Sequence, residues 1–425
     1  METLQQGLIA ESSIVRRTVV LCAFVAPGLL LNFGLNLVAS HLLELATFGV
    51  FYVSITMVAA FSAPVAVLTF FVSREIVLFL DTGPRAEAYA YALSLLKSSA
   101  LVVAALFAGA LVVLLTLGEF FDVSATIVVW MIAFNVLAAS AVDISRGVVQ
   151  GFRSIVGLGG FSFGWMALRF ALGVGGIYWL GTAWGGLAGT AVAGLLAFGG
   201  FSVWLVRSAG PVSATTRPTA WLARVYGTWP LVIGYALTML VGFADVLVAF
   251  IVLERAGVAV YAANSVLPKT LLAASFPVLQ VMFPLAIATH IRNEVASRQL
   301  LRGVLATLAI CIAGGATIYV LRGGLCGGGF GVQNCRGDAL PYLLAGTLFA
   351  CLFRVVTLNA LARGRNAMVL LLVPVTVAAA GFAFFNVNSA DELAINYLML
   401  TVGVCAAALM LTMFGHAVSN EEMRD

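Results

Sequence analysis

Residues 18–40 read TVVLCAFVAPGLLLNFGLNLVAS, an apolar run without a charged side chain. After a short turn, residues 48–72 read FGVFYVSITMVAAFSAPVAVLTFFV, again without a charge. A helix of about 20 such residues crosses the roughly 30 Å hydrocarbon core of a bilayer. Because neither run alternates with the period of two that a barrel strand requires, both runs predict transmembrane helices.

The first run also resembles the apolar part of a signal peptide, because Arg16 and Arg17 precede it. Signal peptides carry an apolar region of about 7 to 15 residues before their cleavage site. The run at 18–40 is longer than that. We therefore predict an uncleaved first span rather than a removed leader.

The whole chain has the composition of these two runs. Its 425 residues are 62% hydrophobic and 9% charged, and the mean hydropathy is +1.08. A soluble domain usually carries about 25% charged residues. In lipid the backbone must satisfy its own hydrogen bonds, so long apolar runs become helices. The composition predicts an all-α integral membrane protein.

Further apolar runs bring the prediction to about 12 transmembrane helices in two six-helix lobes. The first six spans are 18–40, 48–72, 98–117, 124–143, 158–181 and 184–206. The second six are 228–252, 259–289, 303–321, 340–362, 367–386 and 393–415. We predict an N-terminal lobe at 1–207, a cytoplasmic linker at 208–227 and a C-terminal lobe at 228–425.

The basic residues predict the orientation. Loops rich in Lys and Arg stay in the cytoplasm. With a cytoplasmic N-terminus, sixteen of the 22 Lys and Arg residues fall on the cytoplasmic side, and only Arg255, Arg322 and Arg336 fall on the other side. We predict a multi-pass protein of the bacterial inner (plasma) membrane with both termini in the cytoplasm.

The connections between spans are too short for a soluble catalytic domain. The sequence has no G-x-x-x-x-G-K-[ST] phosphate loop, no set of His and carboxylates with metal-ligand spacing, and no nucleophile beside a predicted base. We therefore predict no enzyme activity, no cofactor, no metal site and no nucleic-acid partner. Any uphill transport must draw on a gradient.

Two stretches half a chain apart resemble each other. Leu43, Glu44, Ala46 and Tyr52 in LELATFGVFY correspond to Leu253, Glu254, Ala256 and Tyr261 in LERAGVAVY. Chance matching between apolar segments is the alternative explanation. With equal helix counts on both sides of a polar linker, we favour two lobes in parallel orientation, a plan common among secondary transporters.

Three stretches together resemble one family of transporters. Residues 41–75 carry Phe48, Gly49, Arg74 and Glu75; residues 148–181 carry Gln150, Gly151, Arg153 and Arg169; residues 243–284 carry Asp245, Gly257, Tyr261, Phe276 and Pro277. In this order they resemble the polysaccharide-unit flippases, the Wzx type within the MOP superfamily. Glu44 stands where that family usually has a turn glycine.

The resemblance implies a MOP/MATE-like fold and an alternating-access transporter. Its substrate would be an undecaprenyl-diphosphate-linked oligosaccharide, turned from the cytoplasmic to the periplasmic leaflet for surface polysaccharide synthesis. It also implies the lipid bilayer, a polysaccharide polymerase and glycosyltransferases of the same pathway as partners. Two alternatives stay open: an ion-coupled multidrug extruder of the MATE type, and a membrane-embedded polymerase or glycosyltransferase.

Three cations lie inside predicted spans: Arg169, Lys269 and Arg354. A charge at mid-bilayer costs about 2.5–3.5 kcal/mol on insertion scales and normally faces a cavity or a partner. We predict that all three bind the substrate's diphosphate. The alternatives are carbonyl or acid partners for Arg169, carbonyls freed by Pro268 for Lys269, and a side chain of Arg354 that reaches the membrane surface.

Asp245 is the one acid placed well inside a predicted span. It is predicted either to pair with Lys269 or to be a protonatable ion-coupling site. Asn32 and Asn36 share a helix face because they are four residues apart. We predict that they contact the sugar of the substrate, with hydrogen bonding between packed helices as the alternative.

Four charged residues are placed at cytoplasmic helix ends: Arg74, Glu75, Asp143 and Arg146. We predict a cytoplasmic gate there, with solvated charges at an interface as the alternative. Cys326 and Cys335 flank a glycine-rich loop on the periplasmic side, where a disulfide is permitted. We predict a bridge between them.

Overall fold

The computed structural model describes residues 2–82, 85–117, 126–152, 154–209, 229–280, 282, 297–324, 339–363, 365–385, 387 and 389–422. Within these residues the chain forms twelve long helices and no strand. The helices are α1 Glu2–Leu42, α2 Leu45–Thr82, α3 Arg85–Leu117, α4 Thr126–Gly151, α5 Ile155–Leu180, α6 Ala183–Ala209, α7 Trp229–Val252, α8 Arg255–Ala274, α9 Ser297–Gly324, α10 Ala339–Ala362, α11 Asn366–Phe384 and α12 Ala390–Glu422.

Eleven of the described helices are long and apolar enough to cross a membrane. The remaining one, α8, carries Asn264, Ser265 and Lys269 among its apolar residues. The predicted class, an all-α integral membrane protein with about 12 transmembrane helices, is confirmed.

Several helix boundaries differ from the prediction. The helix α2 runs to Thr82 rather than 72, and α4 runs to Gly151 rather than 143. The span predicted at 259–289 is interrupted, because α8 ends at Ala274 and Ser275 forms a turn before helical backbone resumes at 276–280. A hydropathy window stops at the first charges, whereas the backbone of α2 and α4 continues as helix through them.

The chain divides into two compact units. The first comprises Met1–Leu42 and Phe61–Thr228, and the second comprises Leu43–Ala60 and Trp229–Asp425. The helix α2 thus belongs to both, and Pro64 in its interior lacks the N–H that would bond to the carbonyl of Ala60. The lobe and linker boundaries predicted above stay a prediction, because residues 210–228 lie outside the described parts.

The two resembling stretches form the same kind of turn. In each, two residues separate consecutive helices, and the second of them is a glutamate. The amide of Phe48 donates to the carbonyl of Glu44 at 2.8 Å, and the amide of Val258 donates to the carbonyl of Glu254 at 2.9 Å. This common geometry supports the internal repeat over chance matching.

Glycines bring α5 and α6 into close contact in the first unit. A Cβ on Gly176 would overlap the carbonyl oxygen of Gly185, and a Cβ on Gly189 would overlap that of Leu172. The connection is short because Gly181 adopts φ +62° and its amide bonds back to Ile177. Small residues at such a contact allow dense packing between helices in lipid.

We expect Gly176→Ala to lower stability by about 1–3 kcal/mol, since the new methyl group meets backbone that cannot move aside. The adjacent Gly175→Ala is the matched control, because a Cβ there has no neighbour within 4 Å. Thermal unfolding of the purified protein in detergent measures both variants. Equal melting temperatures for the two would contradict the described contact.

The helix α10 is the centre of the second unit. It contacts α7, α8, α9, α11 and α12, and every described residue from Phe353 to Ala362 is buried. Lys269, Asp245 and Arg354 all belong to this unit. Charged side chains in such a densely packed interior must find their partners within the protein.

Candidate functional site

A buried ion pair joins α7 and α8. The Nζ atom of Lys269 lies 2.7 Å from Oδ1 of Asp245 and donates a second bond of 2.7 Å to the carbonyl oxygen of Gly242. Asp245 is 0% exposed and Lys269 is 7% exposed. Of the two interpretations of Asp245, the structure contains the ion pair.

Two hydroxyl groups satisfy the second oxygen of this carboxylate. Tyr261 Oη donates to Oδ2 of Asp245 at 3.1 Å, and Ser265 Oγ lies 3.5 Å from the same atom. Both residues are buried. The carboxylate is therefore held by donors on both oxygens, as a buried charge requires.

Tyr397 of α12 packs against the ammonium of Lys269. Its ring centroid lies 4.1 Å from Nζ of Lys269, within cation–π range. Its hydroxyl donates to the carbonyl oxygen of Gly242 at 3.3 Å. We name the whole group the Asp245 cage: Gly242, Asp245, Tyr261, Ser265, Lys269 and Tyr397.

Only the two charges of the cage, Asp245 and Lys269, were predicted from the sequence as site residues. Tyr261, Ser265 and Lys269 are spaced by four and therefore share one face of α8. That spacing is the signal that would have added the two hydroxyl residues. Tyr397 comes from a distant helix and has no local signal.

Arg354 forms a second buried polar centre in the same unit. It is 2% exposed, and its Nη2 donates to the hydroxyl of Tyr235 at 2.6 Å. Its guanidinium carbon lies 5.2 Å from the Tyr235 ring centroid and 5.1 Å from that of Phe276. Across the described chain, no carboxylate is found within 4.0 Å of this side chain.

Between Arg354 and Asn359, three buried polar atoms of α10 lack hydrogen-bond partners in the parts of the chain that are described. They are Nε of Arg354, Oγ1 of Thr357 and Oδ1 of Asn359. Native proteins contain few such atoms, and each calls for an explanation such as a ligand or water. This segment of α10 therefore has free capacity to bind a polar group.

Arg169 lies in the first unit, near the middle of α5 and half-buried. Eleven residues separate it from the nearer helix end at Leu180, a rise of about 17 Å at 1.5 Å per residue, which is about half the thickness of a bilayer core. Its guanidinium carbon lies 6.0 Å from the ring centroid of Trp165. Among described residues, Arg169 has no acidic partner within ion-pair distance.

Asn36 bonds within its own helix. Its Nδ2 donates to the carbonyl oxygen of Asn32 at 2.9 Å, which confirms that the two residues share a face of α1. Its Oδ1 is buried and has no partner among the described atoms. The described contacts thus show no hydrogen bond from this amide to another helix, and sugar binding by the pair stays a prediction.

The four predicted gate residues do not lie at helix ends, because α2 and α4 are longer than expected. Glu75 is 5% exposed and accepts a hydrogen bond of 3.1 Å from the hydroxyl of Tyr91, whereas Arg74 is exposed. Asp143 and Arg146 pair on α4 itself at 3.0 Å. Their role as a gate stays a prediction.

The predicted disulfide between Cys326 and Cys335 lies outside the described residues. Cys311, Cys351 and Cys405 are buried as free thiols. Cys311 and Cys351 pack together with Leu271 and Leu272, as expected of small apolar side chains.

No protein-family model and no curated protein sequence matches the chain. Solved structures do match over nearly its whole length. A MATE proline-to-alanine mutant gives a TM-score of 0.71 at 16% identity, covering 97% of this chain and 96% of that one. An inward-facing multidrug resistance MATE family transporter of the MOP superfamily gives 0.66 at 16% identity, covering 96% and 99%. The chain has the MATE fold.

A third match is a MOP superfamily transporter from Pyrococcus furiosus, with a TM-score of 0.66 at 14% identity, covering 95% of this chain and 94% of that one. The expected MOP/MATE-like fold is thereby confirmed. At these identities the likeness concerns the MATE fold alone. The Asp245 cage and Arg354 must be interpreted from their own chemistry.

Proposed function

We propose that the protein is a transporter that flips an undecaprenyl-diphosphate-linked oligosaccharide from the cytoplasmic to the periplasmic leaflet of a bacterial inner membrane. The charge balance of the buried groups supports this substrate. Lys269 neutralises Asp245, which leaves Arg169 and Arg354 as deep cations without an acidic partner in the described structure. Unbalanced positive charge favours an anionic substrate.

The chemistry of these two residues suits a diphosphate. A guanidinium group presents paired N–H donors that match phosphate oxygens. Arg354 already uses Nη2 on Tyr235 but keeps Nε free within the described residues. Two aromatic rings, those of Tyr235 and Phe276, lie within cation–π range of the guanidinium. We assign phosphate binding to Arg354 and Arg169 during transport, with Lys269 held by Asp245.

The MATE fold is compatible with more than one polarity of binding pocket. Among the matched structures, reverse polarity of the binding pocket suggests a different function for the Pyrococcus furiosus transporter. If pocket polarity indicates the substrate, the positive charges of Arg169 and Arg354 in this chain favour an anionic lipid over a cationic drug. In this proposal the N- and C-termini are cytoplasmic, and glycosyltransferases and a polysaccharide polymerase make and use the substrate.

The second candidate is an ion-coupled multidrug extruder, favoured by the likeness to multidrug resistance MATE structures. A reconstitution separates the two functions. Purified protein is reconstituted into liposomes that contain a fluorescent lipid-diphosphate oligosaccharide or are loaded with a cationic dye. Bleaching of the fluorescent lipid by an external reductant reports its flipping. Flipping without dye export supports the proposal, whereas dye export without flipping overturns it.

We expect Arg169→Ala to reduce lipid flipping at least tenfold, because a deep guanidinium is replaced by a group that cannot bind phosphate. The amount of protein in the membrane and its melting temperature should stay close to wild type, since Arg169 has no described ion pair to lose. Arg207→Ala, at an exposed position near the end of α6, is the control. Undiminished flipping by Arg169→Ala would exclude it from the substrate path.

A further inference from the structure

The ammonium of Lys269 has the surroundings of a bound monovalent cation. A carboxylate oxygen and a carbonyl oxygen lie 2.7 Å away, and an aromatic face lies at 4.1 Å. Two hydroxyl groups, from Tyr261 and Ser265, stand on the far side of the same carboxylate. Hard cations prefer oxygen ligands, and the ammonium has two of them, the carboxylate of Asp245 and the carbonyl of Gly242.

The ammonium of Lys269 is held by two oxygen atoms of the neighbouring helix α7. Lys269 follows Pro268 in α8 and reaches across to α7, where Gly242 offers a carbonyl oxygen and Asp245 its side chain. The carbonyl of Gly242 accepts bonds both from Lys269 and from Tyr397. Two acceptors on α7 thus converge on a single positive charge.

We propose that the Asp245 cage is a monovalent-cation site occupied by the protein's own Lys269 ammonium. The wild-type protein then needs no free sodium, potassium or lithium at this place. A free alkali cation binds there once the ammonium is removed. The inference refines the ion-coupling role predicted for Asp245, and it stands on the geometry of the cage whichever substrate is transported.

Lys269→Ala is the direct test because it removes the ammonium together with most of its stem, which leaves room for a small cation beside Asp245. The variant is purified in N-methylglucamine chloride, and thermal unfolding is followed as sodium, potassium or lithium chloride replaces that salt at constant ionic strength. At 100 times its dissociation constant, a bound cation shifts the folding equilibrium about 100-fold. We expect a saturable rise in melting temperature for the variant and none for wild type.

Two variants control for general salt effects. Asp245→Asn/Lys269→Ala keeps the space but lacks the negative charge, so its melting temperature should not respond to alkali cations. Lys269→Met fills most of the space with an uncharged stem and should respond more weakly than Lys269→Ala. Direct binding of radioactive sodium at about one ion per chain, lost in the double variant, would agree with the thermal result.

The tests measure thermal stability and ion binding, so their outcome does not depend on whether the protein transports a lipid. Equal responses of wild type and Lys269→Ala would show that the ammonium does not occupy the cation's place. If Lys269→Ala cannot be purified, Lys269→Ser leaves similar space and adds a hydroxyl ligand. Recovery of neither variant, even in sodium or potassium buffer, would show that a free cation cannot replace the ammonium.

Discussion

Replacing Arg354 with methionine is expected to reduce lipid flipping about 10- to 150-fold without loss of thermal stability. The reduction corresponds to the roughly 1.5–3 kcal/mol of a hydrogen bond to a charged group. Stability should stay equal or rise, because a buried cation without an acidic partner in the described structure costs free energy that a methionine of similar volume does not. Flipping is measured in liposomes, and stability by thermal unfolding.

The matched control for this variant is Arg322→Met. Arg322 also lies over an aromatic ring, that of Tyr319 at 4.1 Å, but it is exposed at the end of α9. Its replacement should leave flipping unchanged. Arg354→Lys keeps the charge but loses the paired donors, so flipping should fall between wild type and Arg354→Met. A large drop in melting temperature for Arg354→Met would show that the residue is structural.

The second large effect concerns the ion pair of the Asp245 cage. Asp245→Asn and Lys269→Met are each expected to lower stability by about 3–5 kcal/mol, because each leaves one buried charge without its partner. The double variant Asp245→Asn/Lys269→Met removes both charges and should recover more than half of that loss. Thermal unfolding of all four proteins in N-methylglucamine chloride completes a double-mutant cycle.

The coupling free energy between the two substitutions shows whether Asp245 and Lys269 stabilise each other. A double variant that loses as much stability as the sum of the two single losses would indicate that the charges are independent. Tyr397→Phe provides a smaller comparison in the same place, since it removes one bond to the carbonyl of Gly242 and keeps the ring beside Lys269. We expect it to cost about 1 kcal/mol.

The class and approximate number of helices followed from the sequence because lipid imposes one constraint along the whole chain: an apolar run of sufficient length must be helical. Helix ends did not follow. The charges at Arg74, Glu75, Asp143 and Arg146 ended the hydropathy windows, but the backbone continued as helix to Thr82 and Gly151. Hydropathy measures the preference of side chains for lipid, not the end of backbone hydrogen bonding.

Part of the candidate site was also accessible from the sequence. Asp245 and Lys269 stood out because charges are rare within apolar spans, and they lie on consecutive helices that pack together. The partners of Arg354 were not accessible, because Tyr235 and Phe276 come from α7 and the segment after α8 and nothing in their local sequence indicates a cation. Which helices surround α10 is a property of the folded structure alone.

The division of α2 between the two units has a consequence for genetic dissection of the chain. Residues 43–60 are encoded with the first six helices, yet they belong to the second unit, where Phe48, Phe51 and Tyr52 are buried and Gly49 meets the backbone of α8. A gene fragment that starts at Trp229 therefore encodes the second unit without the buried residues of 43–60. A cut within 210–228 therefore leaves the C-terminal fragment without residues 43–60, and a co-expressed N-terminal fragment must supply them.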